Sequence, residues 1–160
     1  MKIEIGPGPK PQHGYTHIDI AAGPHIENVA PAWSLPVPDG SADEIYARHV
    51  FEHFSPAEAE RVLLEWKRVL KPGGTVHIIL PDLSFHAKQL TMPGQSEFLP
   101  HVSNHVHAMS SIYGWQTGNP AWVHKWGYTP ATLTALFERH GYRCEILPCR
   151  ACDIDLLATK

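Results

Sequence analysis

Basic charge is scarce in this chain. Thirteen lysines and arginines stand against sixteen aspartates and glutamates, a net charge of −3 with histidine neutral. No positive field gathers phosphate backbones, so nucleic acid is not an expected partner. Long apolar runs are missing as well, and nothing approaches the roughly 18 residues that cross a bilayer; no membrane role is expected. Cysteine is limited to Cys144, Cys149 and Cys152, too few for a disulfide scaffold. The opening Met-Lys-Ile-Glu-Ile lacks the basic, then long apolar layout of a secretory signal, which points to the cytoplasm. Proline and histidine, by contrast, are plentiful, at 15 and 12 in 160 residues. Full protonation of the histidines would carry the net charge from −3 to +9, so charge is expected to vary strongly between about pH 5 and 7. The length suits a single domain, taken as residues 1–160.

Ile3 and Ile5 alternate and run straight into Gly6-Pro7-Gly8-Pro9, so a first strand ends at a glycine turn. A second strand is expected over 15–20, closing at Asp19, a third over 26–30 and a fourth over 44–50. Ser55-Pro56-Ala57-Glu58 combines an N-cap, a proline at the first helical position and a capping-box glutamate. Behind it, Ala59, Val62, Leu63, Trp66, Val69 and Leu70 recur at steps of three and four, and Lys71-Pro72-Gly73-Gly74 stops the helix. Residues 75–80 read as a near-continuous buried strand, the pattern of a sheet with helices on both faces. Residues 82–128 look irregular apart from a short helix over 83–90. Thr129-Pro130 opens another helix that turns Leu133, Leu136 and Phe137 inward, and 142–147 with 154–158 read as a terminal antiparallel hairpin. The expected fold is α/β, a mostly parallel sheet ending in that hairpin, with ligands beyond the carboxyl ends of the strands.

Those ends point to an adenosine site. Gly6 and Gly8 let backbone approach a ligand closely, and Asp19 can accept both ribose hydroxyl protons. Proline at position 11, where a dinucleotide fingerprint has its third glycine, argues against a nicotinamide cofactor. Glu4-Ile5-Gly6-Pro7-Gly8, Asp19, Leu35-Pro36-Val37-Pro38-Asp39, His49-Val50-Phe51-Glu52-His53 and Arg68-Val69-Leu70-Lys71-Pro72-Gly73-Gly74 occur in that order. Together they resemble the class I S-adenosylmethionine-dependent methyltransferases, especially compact bacterial members, over roughly residues 3–82. The resemblance implies a Rossmann-like seven-stranded sheet and S-adenosylmethionine as cofactor, with S-adenosylhomocysteine as product. It places Gly6, Pro7 and Gly8 under the methionine moiety and Asp19 and Ile20 at the ribose. It sets Ala32 and Trp33 beside adenine, and Arg48, His49, Val50 and His53 near the sulfonium. Two departures stand out: Pro31 occupies the position of an adenine-binding aspartate, leaving Trp33 as a stacking platform, and only 13 residues, with three prolines, separate Gly6 from Asp19. The first helix is therefore expected to be vestigial.

The fold places an acceptor-binding insertion at residues 96–128, where His107, Tyr113, Trp115, His124 and Trp126 suit a small organic acceptor. His107 and His124 are the candidate general bases, with Tyr113 as a third catalytic candidate. The expected reaction is methyl transfer to an oxygen or nitrogen nucleophile of a small molecule or sugar. The acceptor side is expected to be open or completed by a second subunit of a homodimer. Two alternatives are a methyltransferase-fold binding module without turnover and a histidine-rich metal-binding protein. For the latter, His101, His105 and His107 offer imidazoles but no nearby acid or thiol to complete a set, so no metal ligand is assigned. Cys149 and Cys152 have redox spacing without a helix start to activate a thiol, and a hairpin turn with ordinary thiols is expected.

Overall fold

Alternation along the strands decides which side of the sheet becomes the core. The computed structural model describes residues 1–160. Its strands are β1 (Lys2–Ile5), β2 (Thr16–Asp19), β3 (Asn28–Val29), β4 (Ala42–Arg48), β5 (Leu70–Pro81), β6 (Arg143–Ile146) and β7 (Asp153–Thr159). They form one sheet in the order β3-β2-β1-β4-β5-β7-β6, parallel as far as β5, with β7 antiparallel to both β5 and β6. The mostly parallel seven-stranded sheet and the terminal hairpin are thus as expected.

Two helices cover one face. Helix α1 (Pro56–Val69) starts at the Ser55 capping box, and α4 (Pro130–Arg139) starts at Thr129. Ile3, Ile5, Ile18, Ile45, Val76, Ile78, Leu80, Ile154 and Leu156 form a single apolar cluster with Val62, Leu63 and Trp66 of α1 and Leu133 and Phe137 of α4.

The other face is polar. Register sets Glu4 beside His17 and Tyr46, and Tyr46 beside His77. His17 Nε2 lies 3.3 Å from Glu4, His77 Nε2 lies 2.7 Å from Asp155, and the Tyr15 hydroxyl donates to Glu44 at 2.5 Å. None of these residues joins the apolar cluster. Burial along β5 accordingly alternates, with Val76, Ile78 and Leu80 buried and Thr75, His77 and Ile79 only half-buried. This corrects the expectation of helices on both faces, and the cause is chain length. Residues 6–15 form no helix, shortened or otherwise; they lie as a strap from which the Gln12 amide donates to Glu4 at 2.6 Å.

Two further differences concern boundaries. Strand β5 begins at Leu70, paired with Ala42, and its register shifts before Glu44 meets Thr75, so the Lys71–Gly74 turn is an irregularity inside the strand. Besides α2 (Leu83–Gln89), the stretch read as irregular holds α3 (Asn104–Tyr113). Ser103 caps α3 by accepting from the Val106 amide, and Gly114 at φ 76° ends it; a cap without a capping-box glutamate hid the helix.

The α1 cap titrates. The Ser55 amide and then Lys125 hold the Glu58 carboxyl down to about 2. Because the folded-state value is depressed, the stabilisation is complete above the ordinary glutamate range and is lost as pH falls from about 4.3 toward 2. In urea unfolding, Glu58→Gln is therefore less stable than the parent at pH 7, and the gap closes as the pH approaches 2. A gap that is the same at both pH values would contradict this.

Candidate active site

The strand ends open into a cavity of about 720 Å³. Gly8 and Pro9 after β1, His49, Glu52 and His53 after β4, and Pro81 at the end of β5 line one side. Phe98, His107, Ser111, Trp115, Trp122 and His124 of the insertion line the other, with Arg150 and Asp153 at the β7 edge. This is the size range in which small ligands are held.

The glycine turn is built for close approach. Gly6 and Gly8 both have left-handed φ, 63° and 59°, which L side chains rarely adopt. A Cβ on Gly6 would sit 2.6 Å from Val50 Cγ2, whereas one on Gly8 would meet nothing within 4 Å. Gly6 is thus closed over by Val50, and Gly8 faces open space. Asp19 ends β2 at the same edge of the sheet. Its Oδ1 accepts from the Ala21 amide at 2.9 Å, while Oδ2 has no protein donor. Backbone that leaves a carbon-free approach, with a half-engaged carboxylate on the neighbouring strand, fits an adenosyl ligand.

The other residues expected at the cofactor are arranged less uniformly. Pro7 is buried within the turn, Ile20 is exposed just beyond Asp19, and Ala32 is buried in the core cluster. Trp33 packs edge-on against Phe54, with the Arg61 guanidinium over its ring at 4.8 Å, so part of its stacking surface is already taken. Arg48 is exposed on the polar face and does not line the cavity, unlike His49 and His53. His49 is the one non-glycine residue with positive φ, 54°, a conformation that costs energy and turns the chain sharply after β4.

Of the catalytic candidates, His107 and His124 reach the cavity. Tyr113 is 53% exposed and lines a separate apolar groove along α3 with Val106, Met109 and Trp115. His107 Nδ1 is enclosed by Ser96 Oγ at 2.7 Å and Gln89 Nε2 at 3.1 Å, which ties α3 to α2. His124 Nδ1 donates to the Ser111 carbonyl at 2.8 Å. Desolvation depresses the pKa of both rings and favours the neutral forms. His101 and His105 are exposed while His107 is buried, so these three do not assemble a metal site. Cys149 is exposed and unbridged; burial pushes the Cys152 thiol up to about 11, which removes the redox reading.

Glu52, assigned no role from the sequence, stands out in the structure. It is buried at the cavity wall, in the short 3₁₀ turn Phe51–His53, where its carbonyl accepts from the Lys125 and Trp126 amides and so ties the insertion to the end of β4. No local sequence signal marks it, because its burial comes from segment 123–126.

Comparison with known proteins bears on the fold. A family model described as a methyltransferase domain matches residues 16–78. The whole chain superposes on solved methyltransferases at low identity. A SAM-dependent methyltransferase from Aquifex aeolicus shares 15% identity at a TM-score of 0.61, over 99% of this chain and 80% of that one. One from Methanosarcina mazei shares 18% identity at 0.61, over 99% and 91%. The 1,6-didemethyltoxoflavin-N1-methyltransferase of Burkholderia thailandensis, solved with its substrate and S-adenosylhomocysteine, shares 14% at 0.63, over 99% and 70%. No match appears among curated proteins. The fold is that of the class I S-adenosylmethionine-dependent methyltransferases.

Gly6→Ala should be destabilised twice over, by about 1–2 kcal/mol from the left-handed conformation alone and further by the contact with Val50. Denaturant unfolding of Gly6→Ala with and without Val50→Ala separates the two, since the second change relieves only the contact. Wild-type stability in Gly6→Ala would refute the close packing of this turn.

Proposed function

We propose that this chain, a class I S-adenosylmethionine-dependent methyltransferase by its fold and by the family match over residues 16–78, methylates an oxygen or nitrogen nucleophile of a small molecule or sugar. The observation that carries the reading is the left-handed Gly6–Gly8 turn opening beside the cavity, with the free Oδ2 of Asp19 on the next strand. Gly8 and Pro9 would pass the methionine moiety, Asp19 would take the ribose hydroxyls, and Ile20 with the remaining surface of Trp33 would flank adenine. His49 and His53 lie toward the sulfonium. Adenosylmethionine bound there would supply an already activated methyl group.

The protein's own task is then alignment, exclusion of water and proton removal. Phe98, Trp115 and Trp122 give the acceptor side apolar walls, and a small acceptor suits an enclosure of this volume better than a macromolecule. The acceptor's proton leaves toward the end of the cavity where Glu52 and His124 meet: His124 has its Nδ1 proton committed to Ser111, so its Nε2 lone pair is the one available. The Burkholderia methyltransferase, solved with 1,6-didemethyltoxoflavin bound, supports a small-molecule acceptor.

Titration calorimetry with adenosylmethionine, adenosylhomocysteine and NAD tests the reading. Both adenosyl ligands should bind and NAD should not. Asp19→Ala removes hydrogen bonds to a charged acceptor, each worth about 1.5–3 kcal/mol, and should weaken binding roughly 10- to 100-fold. NAD binding with no heat from either adenosyl ligand would overturn the proposal.

A further inference from the structure

Glu52 is left with an unmet electrostatic need. Its side chain is 3% exposed, yet neither carboxylate oxygen has a hydrogen-bond partner. A buried ionised carboxylate in that position demands a counter-charge. Lys125, the nearest lysine in sequence to this wall, is spent on Glu58 at 2.9 Å. The groups that do face Glu52 are imidazoles: His49 Nδ1 is 3.4 Å from Oε1 without hydrogen-bond alignment, and His124 Nε2 is 3.9 Å away. The rings of His53 and His124 meet edge-on, with centroids 4.8 Å apart.

The tautomers follow from the main chain. His53 donates its Nδ1 proton to the Val123 carbonyl at 3.1 Å, and His124 donates its own to the Ser111 carbonyl at 2.8 Å. Each neutral ring therefore keeps its lone pair on Nε2. One ring nitrogen from each histidine and one Glu52 oxygen lie within 4.8 Å of one another. The His124 Nε2 lone pair and the unpartnered Glu52 carboxylate face each other across 3.9 Å, with a ring nitrogen of His53 beside them. Imidazoles anchored through Nδ1 on backbone carbonyls are also how metal-binding histidines are held.

We propose that Glu52, His53 and His124 bind a first-row divalent cation, zinc in the first instance, in the cavity wall with one coordination position open to the cavity. Two imidazoles and a carboxylate are a recurrent three-ligand set for catalytic zinc. Zinc bonds of about 2.0–2.1 Å put tetrahedral ligand atoms about 3.3 Å apart, so side-chain rotation must close each pair by at most about 1.5 Å. His49, 40% exposed, stands at the rim beside Glu52.

Cation binding itself is independent of the adenosyl site, whereas the role of the open position rests on the methyltransferase reading. There the cation would take the acceptor's hydroxyl oxygen and lower its pKa, so that its proton would pass to water in the cavity while the oxygen gains the methyl group, the sulfur–methyl bond breaks and S-adenosylhomocysteine leaves, with His124 as ligand in place of proton acceptor. The acceptor class then narrows to a hydroxylated small molecule.

The test is calorimetry with zinc chloride on chelator-stripped, tag-free protein in the absence of any adenosyl ligand, so that it stands or falls apart from cofactor binding. One saturable site per chain is expected. Affinity should fall at least tenfold in Glu52→Gln and in His124→Ala, and should persist in the surface control His101→Ala/His105→Ala. Cobalt in place of zinc should give the visible absorption of a tetrahedral centre in the parent protein, which decides the matter even if Glu52→Gln does not fold. Absence of a saturable site in the parent, or equal affinity in His124→Ala, would overturn the proposal.

Discussion

A sheet with helices on one face only is the constraint from which the rest of this structure follows. Between β1 and β2 the chain has ten residues, and between β2 and β3 eight, too few and too interrupted by proline to build helices. The apolar core therefore gathers on the side of α1 and α4, and the opposite side must satisfy its polar groups without a covering layer. It does so by cross-strand pairs, Glu4 with His17, Glu44 with Lys2 and Tyr15, and His77 with Asp155. Such pairs are the sheet's counterpart of spaced contacts along a helix, and each contributes modestly. The larger share of the stabilisation lies in the single cluster under Trp66, Phe51 and Phe137, whose side chains are fully buried.

What was legible in the sequence was local and periodic. Ser55-Pro56-Ala57-Glu58 states its helix start in full, because the cap, the proline and the reciprocal glutamate each act within one turn. The Gly6–Gly8 turn and the order of the later motifs were equally readable, since positive φ and chain reversal are demanded at the residue itself. The one-sided sheet was not read from residues 75–80, where Thr75, His77 and Ile79 sit among Val76, Ile78 and Leu80. Two of those three are apolar-leaning or small, and a run of this kind looks buried on both faces until the neighbouring strands supply Tyr46 and Asp155 as its lateral partners. Helix α3 escaped for the related reason that its stabilisation is tertiary. Its anchor is His107, held by Gln89 of α2 and Ser96 of the intervening loop, outside the helix itself.

The site divides along the same line. Gly8, Asp19 and His49 occupy strand ends, and position in the topology sufficed to nominate them. Glu52 could not be recognised from its neighbours, because its significance is a matter of what is absent around it, and a carboxylate three residues before a helix N-cap is ordinarily solvated. Only burial by the returning segment 123–126, whose amides hydrogen-bond the Glu52 carbonyl, makes its side chain exceptional.

The abundance of histidine has a common explanation in this architecture. An imidazole carries its two ring nitrogens on opposite sides, so it can bridge two partners in little space, and much of the fold uses it in that way. His17 lies between Gln12, Glu4 and Glu27, His86 between Gln89 and Cys152, and His140 between Leu136 and Glu60. In each, both nitrogens are engaged within the protein. His124 departs from the pattern: its Nδ1 is fixed to the Ser111 carbonyl and its Nε2 faces a Glu52 carboxylate that has no hydrogen-bond partner, with His53, anchored on the Val123 carbonyl, beside it. Structural histidines complete their own hydrogen bonds, whereas a ring held rigidly with its second nitrogen unspent has been positioned for something the folded chain does not itself supply. The histidines that merely hold the fold are thereby separated from those at the cavity, and the distinction rests on partners counted atom by atom.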